Sequence, residues 1–299
     1  MSEAIAYYPG CSGLGTSKEY DASTRAVCRA LGLSLVDIPD WSCCGSTPAH
    51  TKDHVLSAAL SARNLQLVAG MGIGAAATPC PSCLTNLRTA NHRMAAPAMA
   101  AKVNKLLDDP YAGGVEAISI LQALVEKIGL DEIKAAVRTP LSGLKVACYY
   151  GCIMNRPPEL MAFDDCENPM AMDNVLAAMG ATILPFPLKV ECCGASYGIP
   201  RQDIVAKLTG KLLDAARSIG ADVVAVACPL CQMNLDLRQG QVNRALGTNF
   251  RIPVAYFTQL MGVALNIADA ELGFDKLCID PRPVLNKALS GADTQAKGA

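Results

Sequence analysis

The sequence predicts an α/β protein made of two duplicated β-α-β halves, with mainly parallel sheets covered by helices and the halves related by an approximate two-fold. Two observations carry that prediction. Five cysteines recur at a nearly constant offset. Cys11, Cys43-Cys44-Gly45 and Cys80-Pro81-Ser82-Cys83 return as Cys152, Cys192-Cys193-Gly194 and Cys228-Pro229-Leu230-Cys231, respectively 141, 149 and 148 residues further on. Between them, short apolar runs take turns with longer helical stretches, as expected for strands buried on both faces of a parallel sheet.

Taken in order, Ala4 to Tyr8 reads as the first strand. Thr16 and Glu19 have the spacing of a capping box, opening a helix that ends near Gly32. Ser34 to Ile38 is a strand leading into the Cys-Cys-Gly loop. A helix from about Asp53 to Ala69 follows, then a strand, Ile73 to Thr78, that delivers Cys80. Gly113 to Leu144 reads as a further strand and helix, and the turn at Thr139-Pro140 marks a boundary. In the second half Asn168 and Pro169 stand like an N-cap and first-turn proline, with Gly180 as the stop. Thr182 to Pro187 and Val223 to Leu230 have strand character. The expected organisation is an N-terminal cysteine domain over 1–139, a C-terminal one over 140–275, and a tail over 276–299.

Composition narrows the function. The formal charge is -1 and no Lys or Arg run could neutralise a phosphate backbone, so nucleic acid is not an expected partner. Mean hydropathy is +0.25 with 51% apolar residues, yet no stretch approaches the ~18 apolar residues of a spanning helix. The N-terminus has no basic region followed by an apolar run, so a cytoplasmic location is expected. The excess of apolar surface points to partner subunits. Fourteen cysteines in a reducing compartment point to metal ligation or redox chemistry rather than disulfides.

Neighbouring cysteines on a regular strand face opposite ways, so each Cys-Cys pair can serve one centre only from a bent loop. Gly45 and Gly194 suit such a bend. Four thiolates satisfy tetrahedral zinc or a cubane cluster, which leaves one thiolate over in each half. The ferredoxin spacing C-x₂-C-x₂-C-x₃-C-P is absent. A thioredoxin-like reading of the C-P-x-C units leaves Cys11, Cys43 and Cys44 without a role. Five recurring thiolates indicate a larger or unusual cluster, or a cubane beside a spare reactive cysteine.

The pattern C-x₃₁-CCG-x₃₄-C-x-x-C followed by C-x₃₉-CCG-x₃₃-C-x-x-C resembles the tandem cysteine-rich CCG domains of the catalytic, B-type subunit of heterodisulfide reductases. The segments YYPGCSGLGTSKEYDASTRAVCRALG, DWSCCGSTPAH, ACYYGCIMNRPPE, FDDCENPMAMD, LKVECCGASYG and ACPLCQMNLDLRQ carry the likeness, which runs from about Tyr7 to Leu260. The resemblance implies two 4Fe-4S clusters of non-cubane type. One is held by Cys11, Cys43, Cys44, Cys80 and Cys83, the other by Cys152, Cys192, Cys193, Cys228 and Cys231. It also implies a disulfide oxidoreductase working between two clusters; the duplicated halves, with ligand crevices at the carboxyl ends of their strands, are expected to set both clusters on a shared cleft between 1–139 and 140–275. A ferredoxin-like, C-type subunit and a flavin-containing, A-type subunit would be its partners, and a disulfide or sulfur-carrying molecule its substrate. The resemblance extends to the bacterial sulfur-oxidising heterodisulfide reductase-like branch, and the Ala-rich composition fits a bacterial source. The alternative is a non-catalytic electron-transfer subunit of another oxidoreductase complex, against which the FDDCENP segment and the lack of a fused ferredoxin motif argue.

Outside the motif, Cys28 and Cys148 read as buried small hydrophobes, Cys166 as a thiol preceding a helix, and Cys278 as inert. His50 follows the first Cys-Cys-Gly loop and is a weak candidate for binding substrate, as are Arg156, Lys189 and Arg201 around the second motif. Ordinary solvated charge is the commoner fate of such residues. Neither Gly10, Gly13 and Gly15 nor Gly70, Gly72 and Gly74 makes a full nucleotide loop, so flavin or nicotinamide belongs to another subunit.

Overall fold

The computed structural model describes residues 4–46 and 48–296. Among them, eight strands form two four-stranded sheets, every pair parallel. The first contains β1 (Ile5–Tyr7), β2 (Leu35–Asp37), β3 (Ala75–Thr78) and β4 (Glu116–Ser119), in the order β2-β1-β3-β4. The second contains β5 (Lys145–Tyr149), β6 (Thr182–Ile183), β7 (Val223–Val226) and β8 (Val254–Tyr256), in the equivalent order β6-β5-β7-β8. The duplication in sequence is thus a duplication of topology.

Both sheets reverse their winding beside the central strand. After β1 the chain crosses to β2 on one side and then returns to β3 on the other, and β5 stands in the same position in the second sheet. Loops leaving the carboxyl ends of β1 and β3, or β5 and β7, diverge there and leave a crevice. Those loops carry Cys11, Cys80 and Cys83, or Cys152, Cys228 and Cys231.

Two helices begin differently from the sequence expectation. The Thr16–Glu19 capping box is not formed. Cys11 lies on its own short helix, Gly10–Leu14, and the next helix, Lys18–Ala30, starts after Ser17 without a side-chain cap. Glu19 is instead buried against the second half, where Gly273 leaves room for it. Nor do Asn168 and Pro169 open their helix, which spans Ala171–Ala178. Its first N–H groups are taken by Asp164 Oδ2, from Met170 and Ala171 (2.9 and 2.7 Å), and by Tyr150 Oη, from Met172 and Asp173 (2.8 and 3.1 Å). An acid six residues upstream and a tyrosine from β5's end satisfy the free amides that a local cap would serve.

The halves share a core. Ile5, Tyr7, Val27 and Cys28 of the first pack in one continuous cluster with Val146, Val224, Phe257 and Leu260 of the second. Tyr20 stacks on Tyr256 with centroids 4.0 Å apart, and Ser23 Oγ meets Thr258 Oγ1 at 2.8 Å. A second cluster, including Ala6, Tyr8, Ala58, Leu65 and Leu87, lies under the first half and takes in Met161 from the second. Residues beyond 275 are strapped to this body: Asp236 accepts the N–H groups of Cys278 and Ile279, and Leu285 is buried.

Candidate metal centres

Each half brings its five cysteines to the carboxyl end of its sheet. In the first, Cys44, Cys80 and Cys83 are buried while Cys11 and Cys43 are exposed at the mouth. Cys44 Sγ lies 3.4 Å from Cys83 Sγ. In the second, Cys193, Cys228 and Cys231 are buried, Cys152 is half-buried and Cys192 exposed, with Cys193 Sγ 3.7 Å from Cys231 Sγ. The C-P-x-C units place their first cysteine at a helix N-cap position with proline at the first helical residue, before Pro81–Met94 and Pro229–Leu235. Proline there supplies the helical φ and forfeits an amide that has no intrahelical partner.

The bent loop required by the paired cysteines is present in both halves. Gly45 and Gly194 have φ of +79° and +88°, and their N–H groups turn back onto the sulfurs of Cys43 and Cys192 at 3.4 and 3.3 Å. Gly10 and Gly151 also have positive φ, +67° and +78°. A Cβ on Gly10 would lie 3.1 Å from Cys83 Sγ, and one on Gly151 2.8 Å from Cys231 Sγ. Any side chain there would enter the space where the thiols gather.

Shared hydrogen bonds and mutual repulsion shift the thiols' proton affinities. The hydrogen bond shared with Cys83 holds Cys44 down to about 7, and that with Cys231 holds Cys193 to about 7. Cys152 does the same for Cys192, lowering it to about 6. Burial pushes Cys11 up, and the negative charges of Cys43, Cys44 and Cys80 add to it. Low thiol pKa values favour thiolate, the form that binds metal.

Residues outside the cysteine motif hold the loops, and they too are duplicated. Tyr8 Oη donates to the carbonyl of Ser42 at 2.7 Å, and Tyr149 Oη to that of Glu191 at 2.7 Å, in each case the residue before the cysteine pair. Ser61 Oγ donates to Cys44 O at 2.9 Å, and Thr209 Oγ1 to Cys193 O at 3.1 Å. Sequence reasoning had not given these roles. The signal for them was the repeat itself, since the tyrosines are 141 residues apart and the hydroxyl residues 148.

Among the described residues, no three His, Cys, Asp or Glu side chains close on a single ion. The all-sulfur donor set, glycine-cleared floor and inward backbone N–H groups fit a bulky, thiolate-held iron–sulfur centre in each half.

A cavity of about 470 Å³ lies between the halves. Cys152, Cys192, Cys193, Cys228 and Cys231 all border it, together with Tyr150, Gly151, Ile153, Ala195 and Leu230. The first half supplies the facing wall: Ser46, His50, Pro81, Ser82, Thr85, Asn86, Thr89 and Arg93. None of the first set of cysteines is in its lining; that set approaches it through Pro81 and Ser82, which lie between Cys80 and Cys83, and through Ser46, which follows the Cys43-Cys44-Gly45 loop.

Of the four weak substrate-binding candidates, His50 is at this cavity and the others are elsewhere. Arg156 is half-buried and binds the carbonyls of Cys166 and Val190 and the carboxylate of Glu167. Arg201 is exposed and pairs with Asp203 at 2.9 Å. Lys189 is not a solvated charge: it is buried, with Nζ 2.6 Å from Asp173 Oδ1 and 2.9 Å from Pro169 O. Asp173 also accepts from Tyr150 Oη at 2.6 Å, so the pair braces the strand end that leads to Cys152. Cys28 and Cys148 are buried; burial raises the former to about 12 and the latter well above the usual thiol range.

Duplicated thiolate sites at the crevices of two parallel sheets define a tandem cysteine-rich redox protein. Comparison with known proteins agrees. A family described as "Cysteine-rich domain" (CCG) matches residues 5–88 and again 146–236. The chain is 34% identical to the 8-methylmenaquinol:fumarate reductase membrane anchor subunit of Wolinella succinogenes, over 94% of this chain and 98% of that protein. It is 31% identical to the B-type subunit of the ferredoxin/F(420)H(2)-dependent CoB-CoM heterodisulfide reductase of Methanosarcina acetivorans, over 92% and 93%. A hypothetical protein from Helicobacter pylori has the same fold, with TM-score 0.75 at 13% identity, over 93% of this chain and 52% of that one. The chain belongs to the tandem CCG family that includes the B-type heterodisulfide reductase subunits, and is an iron–sulfur redox subunit. No described helix is long and apolar enough to cross a membrane.

Proposed function

We propose that the chain is the catalytic iron–sulfur subunit of a heterodisulfide reductase-like complex, which reduces or forms a disulfide in the cavity between its halves. Residues 1–139 and 140–275 are its two cluster-bearing units, each with a 4Fe-4S centre of non-cubane type on the five cysteines named above. The observation that carries the reading is the cavity itself. It brings a complete five-thiol site against a mainly polar, largely uncharged wall from the other half, large enough for a sulfur-carrying molecule. Iron–sulfur centres held on the two cysteine sets, the second of them at the cavity, would supply in one-electron steps the two electrons that disulfide cleavage needs. Ser82, Thr85, Asn86 and His50 offer hydrogen bonds that orient the substrate, while Tyr150, Ile153 and Leu230 keep water from the sulfur. Electrons would come from a ferredoxin-like partner of the C type and a flavin-containing partner of the A type, in the cytoplasm.

A second reading is favoured by the 34% identical relative, named as part of an 8-methylmenaquinol:fumarate reductase. There the chain would pass electrons between partners without binding a disulfide. Electron paramagnetic resonance of the anaerobically purified chain, titrated with thiols and disulfides, separates the two. The catalytic reading predicts a signal that changes with thiol and loses that response in Asn86→Phe, which fills the cavity, at unchanged iron content. A signal indifferent to every thiol and disulfide would leave the electron-transfer reading.

A further inference from the structure

The two sites share their backbone donors and loop braces, but at the buried cysteine of each pair, Cys44 or Cys193, one side-chain donor breaks the symmetry. Asn234 is buried, and its Nδ2 lies 3.2 Å from Cys193 O and 3.5 Å from Cys193 Sγ. Its counterpart 148 residues earlier, Asn86, turns away instead, with Nδ2 donating to Ser82 O at 3.0 Å. The backbone donors do not differ in this way, since Gly45 and Gly194 meet their sulfurs at 3.4 and 3.3 Å.

The orientation of Asn234 is set by a second residue that the first half lacks. Arg238 Nε donates to Asn234 Oδ1 at 3.0 Å. A guanidinium has only donors, so the atom it meets must be the amide oxygen, and the NH₂ then points at Cys193. Position 90, the counterpart of Arg238, is Ala90, buried in the first half. Gly198 lies beside the guanidinium, where a Cβ would stand 2.5 Å from Arg238 Nη2. The counterpart of Gly198, 149 residues earlier, is Ala49.

We infer that the Arg238–Asn234 pair raises the reduction potential of the second iron–sulfur centre by a hydrogen bond to the Cys193 sulfur. Such bonds draw electron density from the ligand and stabilise the reduced, more negative cluster, and the guanidinium charge behind the amide acts in the same direction. Electrons entering the chain are biased toward the centre that borders the cavity. Asn234 is a positioning and tuning residue; it is not itself at the cavity wall. The inference rests on iron–sulfur occupancy of the two sites and not on the disulfide reading, and iron content checks that occupancy separately.

The test is a redox titration followed by electron paramagnetic resonance on the full anaerobic chain, with the second centre's signal identified by its loss in Cys193→Ala. Asn234→Leu keeps the side chain's shape without the donor, and Arg238→Met removes the orienting charge. Both should move the second midpoint to more negative potential and leave the first unmoved, at unaltered iron content. If Asn234→Leu loses iron, Arg238→Met alone decides. Unshifted midpoints, equal shifts of both centres, or iron loss in both variants would overturn the inference, the last by showing a purely structural role.

Discussion

Gly151→Ala isolates the close approach on which the second site depends. Residue 151 has φ +78°, where an alanine costs roughly 1–2 kcal/mol, a penalty that a protein of this size can absorb. The contact is more serious. The new Cβ would stand 2.8 Å from Cys231 Sγ, and ordinary contact begins near 3.4 Å, so the sulfur must retreat by about 0.6 Å. Ligand distances in metal sites hold to about ±0.2 Å. Cys231 is buried and shares its hydrogen bond with Cys193, so it has little freedom to move. Gly151→Ala should therefore fold with a modest loss of thermal stability and lose the iron of the second centre only, about half the total. The matching Gly10→Ala puts its Cβ 3.1 Å from Cys83 Sγ and should be milder. Iron and acid-labile sulfide per chain, measured with a thermal melt, give both numbers. Full iron in Gly151→Ala, or an equal loss in both variants, would refute the reasoning.

Cys193→Ala should abolish the second centre while Cys28→Ala leaves iron content intact, because Cys28 is a buried core thiol; equal iron loss in both would mean the ligands are misassigned. Lys189→Met leaves Asp173 charged and buried without its partner, which should cost about 3–5 kcal/mol in a denaturant melt, and a Lys189→Met, Asp173→Leu double variant should recover much of it. Tyr149→Phe releases the Glu191 carbonyl and should cost about 1 kcal/mol, with faster loss of iron to a chelator from the second centre than from the first. In the metal-free chain, alkylation of Cys192 should rise as pH is raised through about 6, since only the thiolate reacts, whereas Cys28 should stay unmodified; mass mapping of the labelled peptides checks both.

Much of the fold was legible because the chain repeats itself. One strand or one cysteine pair is weak information, but two copies at offsets of 141 to 149 residues identify the elements that must be equivalent. The parallel sheets followed from runs such as Val223–Val226, apolar on both faces and fully buried. Local capping was less legible. Thr16 and Asn168 have the right side chains, but the free amides of the second helix are served by Tyr150 and Asp164, and Glu19 is needed at the contact between halves. The burial of Lys189 was hidden for a similar reason: its partner Asp173 is 16 residues away, and nothing in the local sequence separates it from a surface lysine. The cavity was anticipated as a cleft between the halves, whereas its asymmetry was not, because Asn86 and Asn234 are the same residue type in equivalent positions and only the neighbour Arg238 separates their roles.

Anaerobic purification followed by metal and acid-labile sulfide analysis tests the central claim most directly. Two five-thiolate sites holding four-iron clusters predict about eight iron atoms and about eight sulfides per chain, with no stoichiometric zinc. One or two zinc ions per chain without sulfide would contradict the account, and with it both the disulfide chemistry and the tuning of the second centre by Asn234.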